Sequence, residues 1–217
     1  MIVEPKETTR RALVEVLLEA ATTRKLAPAT ASKYRGKSTW IGSHLMGRVG
    51  RVGQAALKQQ QYGDQSTLDE AACRQVQHHA CVLAEAPPRT IKVLGRTRRP
   101  LLLYTDAEYT PGSGLMPRLG WVLLGMECTP VGQTLLLEET TVDEWQARDQ
   151  QIFPAEVFAG LASLYNLAPL IVDQNLIWFI DNESAAAAVI RVNSTSQDVQ
   201  KMVEAIHLLQ LALNARI

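Results

Sequence analysis

LLLYTD (Leu101–Asp106) and LIWFID (Leu176–Asp181) are two apolar runs that each end on an aspartate, and a helix-patterned segment between them carries Glu156. An uninterrupted apolar run is the pattern of a strand buried on both faces, central and parallel, so two neighbouring runs of this kind end side by side. Ligands and chemistry collect at such carboxyl ends. Carboxylates gathered there repel one another, and a hard divalent cation with oxygen ligands, Mg²⁺ foremost, offsets the repulsion.

Working outward, the chain changes period at Pro87-Pro88. Before it the pattern is helical. Thr8 or Thr9 can cap ALVEVLLEAA, and Pro28 suits the first turn of a second helix through ASKYRGKSTWIGSHL, with interruptions at Gly36 and Gly42. GRVGRVG follows, its arginines exposed, then a helix at QAALKQQQY. Thr67 and Glu70 have capping-box spacing ahead of a helix through Leu68, Ala72, Val76 and Leu83. After Pro88 a short extended run (Ile91–Gly95) precedes the first aspartate-ended strand. LGWVLLGM (Leu119–Met126) and QTLLLEETT (Gln133–Thr141) complete a three-strand meander. A helix from about Ile152 to Leu167, the second aspartate-ended strand, and helices at ESAAAAVIR and QDVQKMVEAIHLLQLAL complete an order βββαβα. That order predicts an α/β fold with a mixed sheet and excludes a plain Rossmann repeat. A helical region over 1–88 and an α/β domain over 89–217 are the expected domains.

The 217 residues hold 22 Lys+Arg against 22 Asp+Glu, so net charge indicates no partner class. The distribution is more telling. Lys25, Lys33, Arg35, Lys37, Arg48, Arg51 and Lys58 occur without an intervening Asp or Glu, whereas acids gather between Asp106 and Asp149. The 3 cysteines, Cys73, Cys81 and Cys128, are odd in number and sparse, which fits a reducing compartment, cytoplasm or nucleus. Cys73, His78, His79 and Cys81 lack the paired spacing of a zinc site. No apolar run is long enough to span a membrane, and no signal peptide is evident. Both ends read as cut from a longer chain.

Each carboxylate of the trio has an ordinary explanation. Glu156 could be a first-turn surface glutamate beside the stripe of Phe153, Val157, Leu161 and Leu164, Asp106 a strand-ending residue, and Asp181, followed by Asn182, a helix cap. In the order strand-Asp, helix-Glu, strand-Asp they form a stronger pattern than singly. In the basic region Lys33, Arg35, Lys37, Arg48 and Arg51 are candidates for contact with a phosphate backbone, while Trp40 is assigned to the core. Trp121, Trp145 and Trp178 are likewise read as packing residues. Ser184, Ser194, Thr195 and Ser196 could touch phosphates or serve as caps.

The segment from about Pro100 to Ile217 resembles the ribonuclease H domain of retroelement reverse transcriptases: YTDAEY (Tyr104–Tyr109) resembles the first-strand motif, QQIFPAEVFAGLASL the glutamate helix, and FIDNESAAAAVI the second-aspartate strand. VEPKETTRR and LAPATASKYRGKSTWIGSHLMGRVGR are similar to the thumb-like segment joining palm and ribonuclease H domain in DIRS-like elements. The resemblance implies metal-dependent cleavage of the RNA strand in RNA–DNA hybrids. Two Mg²⁺ ions, with Mn²⁺ as an alternative, would be held by Asp106 bridging both, Glu156 on one and Asp181 on the other. It also implies template-primer nucleic acid and an upstream polymerase palm in the same polyprotein as partners. A non-catalytic connection domain of the same fold, or an integrase or exonuclease of the wider superfamily, is the alternative reading.

Two departures accompany the resemblance. The family's fourth carboxylate, and the strand before it, are expected past Ile217, and Asp198 belongs at the start of the final helix rather than in that place. The YxDD polymerase motif is absent from this sequence.

Overall fold

The structure, a computed structural model, describes residues 2–45, 48–90, 99–125 and 129–217. The strand expected over Ile91–Gly95 and Cys128 lie outside these residues. The chain divides into two compact units, Met1–Gly95 and Arg96–Ile217.

The N-terminal unit is helical: α1 (Glu7–Thr23), α2 (Pro28–Gly42), α3 (Gln54–Gln61) and α4 (Glu70–Glu85), with a short antiparallel pair of β1 (Ile2–Val3) and β2 (Arg89–Thr90). Leu13 and Leu17 of α1, Ile41 of α2, Leu57 of α3, and Val76 and Leu83 of α4 are fully buried and form its core. The helix starts differ from expectation. Lys6, not a threonine, precedes α1, and α4 is capped by Asp69, whose side chain accepts from the Ala72 N–H at 2.7 Å. Gly36 does not interrupt α2, because its Cβ position is open and one solvent-facing glycine costs a helix only about 1 kcal/mol. Gly50 has a packing role. A Cβ there would meet the Gly42 Cα at 2.3 Å, so the two glycines let the loop lie directly on the end of α2.

The C-terminal unit is α/β. β3 (Leu101–Glu108), β4 (Arg118–Leu124) and β5 (Val131–Leu136) form the antiparallel meander; a short helix α5 (Glu139–Asp143), the long α6 (Ile152–Asn166) and a turn of helix α7 (Ala168–Ile171) lead to β6 (Leu176–Ile180). Helices α8 (Glu183–Arg191) and α9 (Gln197–Ala212) follow. The sheet order is β5-β4-β3-β6, with β6 parallel to β3. This mixed sheet with flanking helices is the α/β architecture that the element order βββαβα predicted. The second half of QTLLLEETT departs from the strand and becomes α5, since EETT supplies an acidic first turn rather than an alternating pattern.

β3 is central, but it is not buried on both faces. Leu103, Thr105 and Ala107 point inward while Tyr104, Asp106 and Glu108 are exposed. The reason is that α6, which packs on β3 and β4, covers one face only. On the other face Tyr104 and Phe179 stack at 4.5 Å between centroids, 7° from parallel, beside Val122 and Ile177, each of the four about 40% exposed. α6 is enclosed by the sheet, α8 and α9, which accounts for its burial on more than one side. Beyond β6, Arg216 forms a parallel bridge with Asn175: the Leu176 N–H donates to the Arg216 carbonyl at 2.7 Å and the Arg216 N–H to the Gln174 carbonyl at 2.9 Å. Among the described residues no helix is long and apolar enough to cross a membrane.

Candidate metal centre

Asp106 is the sixth residue of β3, exposed, and its antiparallel partner is Gly120. A glycine opposite leaves the space beside the carboxylate free, since even an added Cβ there would meet nothing within 4 Å. Asp181 follows the last residue of β6 directly and is also exposed. It is not the helix cap. That role belongs to Asn182, whose side chain accepts from the Ala185 N–H at 3.0 Å, so Asp181 is left to face the neighbouring strand end.

Glu156 is in the second turn of α6 and is 3% exposed, so the first-turn surface reading does not hold. Of the apolar stripe, Val157 and Leu164 are fully buried while Phe153 and Leu161 are half-buried, and Glu156, Gly160 and Ser163 are covered as well. Burial pushes the Glu156 carboxyl up to about 7, the Asp181 and Asp106 charges add to the shift, and the Ala107 backbone N–H opposes it. Its Oε2 is buried with no hydrogen-bond partner.

One oxygen from each of Asp106, Glu156 and Asp181 lies within 4.8 Å of the others, the one such group among the described residues. Three carboxylates this close cannot all be charged without a counter-charge. An all-oxygen donor set and a buried, unpartnered carboxylate oxygen fit a hard divalent cation such as Mg²⁺. Asp198 is not part of the cluster. Burial alone would raise its carboxyl, but hydrogen bonds from Ser196, the Gln146 and Val199 N–H groups and Arg148 outweigh that and hold it below the usual range. Arg148 Nη2 reaches both its oxygens at 2.8 and 2.9 Å, tying the start of α9 to the segment before α6.

The basic candidates lie in the N-terminal unit. Lys33 and Lys37 are exposed on one face of α2, and Arg48 and Arg51 are exposed around the turn at Val49–Arg51. Arg35 is set apart from them, half-buried, its Nη1 donating to Gln61 Oε1 at 2.8 Å. Trp40 departs from the core assignment. It is 50% exposed, on the face of Lys33 and Lys37, with the His44 ring 4.5 Å away. The reason is spacing: Lys33, Lys37 and Trp40 fall at i, i+4 and i+7, while Ala31, Ser38 and Ile41 occupy the buried side. Ser194 and Ser196 are used internally, Ser194 Oγ accepting from the Ser196 N–H and Ser196 Oγ joined to Asp198.

Gly120, opposite Asp106, was not singled out from the sequence. A glycine inside an otherwise apolar strand signals close approach, so Gly120 had a readable sign.

Protein-family models and curated proteins give no match to the chain. Among solved structures it is similar to the ribonuclease H1 of the halophilic archaeon Halobacterium salinarum NRC-1, with a TM-score of 0.40 and 18% identity over 54% of this chain and 82% of that one.

Proposed function

We propose that the C-terminal unit is a ribonuclease H-type nuclease that cleaves the RNA strand of RNA–DNA hybrids, and that the N-terminal unit is a thumb-like connector which contacts the nucleic acid. The observation that carries this reading is the convergence of Asp106, Glu156 and Asp181 from β3, α6 and the end of β6, within 4.8 Å. The sequence resemblance supports a parent chain of the retroelement reverse transcriptase type, with a polymerase palm as its polyprotein partner.

Asp106, Glu156 and Asp181 would hold the Mg²⁺ ions, Asp106 shared between them. The metal pair supplies, when bound, an activated water and charge neutralisation at the leaving oxygen. The chain's own share is positional. β3 and β6 run in parallel and so deliver both aspartates to one end of the sheet, while burial of Glu156 keeps bulk water from one side of the cluster. RNA would be told from DNA by its 2′-hydroxyls in a wide, shallow minor groove. Lys33, Lys37, Arg48 and Arg51, with Arg35 behind them, would meet phosphates.

The test is cleavage of a labelled hybrid in Mg²⁺, with Asp106→Asn as control. Mg²⁺-dependent cuts confined to the RNA strand, lost in Asp106→Asn, are expected. Hybrid binding without cleavage would identify the non-catalytic connection domain instead, and strand transfer on duplex DNA an integrase.

A further inference from the structure

Trp178 lies on β6, three residues before Asp181, and its indole touches the elements that carry the other two carboxylates. Its Nε1–H donates to Thr105 Oγ1 at 2.9 Å, and Thr105 immediately precedes Asp106 on β3. The six-membered ring occupies the space where a side chain at Gly160 would begin: a Cβ there would lie 2.0 Å from Cζ2 and 2.2 Å from Cη2. Gly160 is one helical turn beyond Glu156 on α6, so both residues look out from the same side of that helix. The glycine is thus a seat for the indole, and α6 approaches the sheet closely only because no Cβ stands between. Thr105 is 5% exposed, so the acceptor of this hydrogen bond is buried while the indole that donates to it is half-buried.

We propose that Trp178 is a positioning residue, which sets the separation of Asp106, Glu156 and Asp181 by gripping β3 through Thr105 and α6 through Gly160. The inference rests on the reading of the trio as a metal centre and adds to it the device that fixes its spacing. An ordinary core tryptophan would need neither a dedicated hydroxyl acceptor beside one ligand nor a missing side chain one turn from another. Both are met here by the same ring. The indole acts on metal through the ligands and touches none of the reacting atoms.

The test is Mn²⁺ binding to the full chain by calorimetry, with circular dichroism and a melt in EDTA for every variant. Trp178→Phe keeps a ring but deletes the donor, and Thr105→Val keeps shape but deletes the acceptor. Each is expected to weaken Mn²⁺ binding by about tenfold, the low end for partners that orient metal ligands. Combined, they should weaken it no further than either alone, because both delete the same bond. Gly160→Ala should also weaken binding, and adding Trp178→Leu should recover part of the loss by removing the clash. A packing role alone would lower melting temperatures without this pattern in affinity. Wild-type affinity in Trp178→Phe, Thr105→Val and Gly160→Ala would overturn the positioning role while leaving the metal centre standing. Equal Mn²⁺ binding by wild type and Asp106→Asn would remove the metal centre, and the positioning role with it.

Discussion

Glu156 binds a proton more tightly in the folded chain than in the unfolded one, its value rising from 4.5 to about 7. The linkage follows from that sign. Between these values the native state carries a proton that the unfolded state lacks, so the contribution is complete below about 4.5 and is lost as pH rises through about 7. In EDTA the C-terminal unit should therefore weaken on going from pH 5.5 to 8, as followed by urea unfolding. Glu156→Gln should flatten that slope and stabilise the metal-free protein at pH 8 by up to about 3 kcal/mol. Divalent metal reverses the preference, because it needs the ionised carboxylate, and its affinity should climb across the same interval. An unchanged slope in Glu156→Gln would show that the cluster does not govern the titration. At the same scale, Trp40→Ala should weaken binding of an RNA–DNA hybrid that carries a single-stranded overhang, measured by fluorescence anisotropy, through loss of an unpaired base stacked on the exposed indole. A stacked base contributes about 1–3 kcal/mol, so a loss below twofold would exclude that contact.

Among the elements, β3 and β6 were legible because each apolar run is of strand length and is preceded by turn-forming residues, Pro100 and Asp173–Asn175, and the helix through Glu156 follows from its length and apolar content. Their burial was less so. Nothing in LLLYTD distinguishes a strand covered on both sides from one covered on one side; that depends on whether a helix arrives over Tyr104 and Phe179, a tertiary fact. Trp40 was misplaced for a related reason, since an aromatic in a helix is usually inside, and only the register with Ala31, Ser38 and Ile41 shows that this one is not. The grip of Trp178 on Gly160 and Thr105 joins three elements and leaves no local pattern to read. The α4 helix adds its own prediction. Burial, against a smaller lift from the Val52 carbonyl and with help from His78, depresses His79 to about 4 from 6.5. A buried base with a lowered value is stabilising above about 6.5, and that contribution is lost as pH falls towards 4, because only the unfolded chain then takes the proton. His79→Leu should flatten this acid limb in a urea series, and an acid limb identical to wild type would assign it elsewhere.

For the whole molecule the two slopes run in opposite directions. The N-terminal unit is weakened by acid through His79 and the metal-free C-terminal unit by alkali through Glu156, so melts in EDTA should show two transitions whose order or separation changes between pH 5 and 8. A single transition at all pH values would mean that the units unfold together. Charge is divided in the same manner, with the acid-free basic stretch in one unit and the carboxylate cluster in the other. Chelation should then abolish hybrid cleavage and leave hybrid binding in place. Neutralising Lys33, Lys37, Arg48 and Arg51 together should lower the salt slope of that binding by roughly 0.9 for each phosphate that is no longer neutralised. An unaltered slope would show that other residues meet the phosphates.

The uncovered face of the sheet bears on how such melts are read. Tyr104, Phe179, Val122 and Ile177 present an apolar surface in the native state. A dye that brightens on apolar protein surface binds such patches before any unfolding begins. Its signal would start high and change little at the transition. Intrinsic emission is the better reporter for the C-terminal unit: Trp121 and Trp145 are almost wholly enclosed there, so the loss of its native packing is what they register.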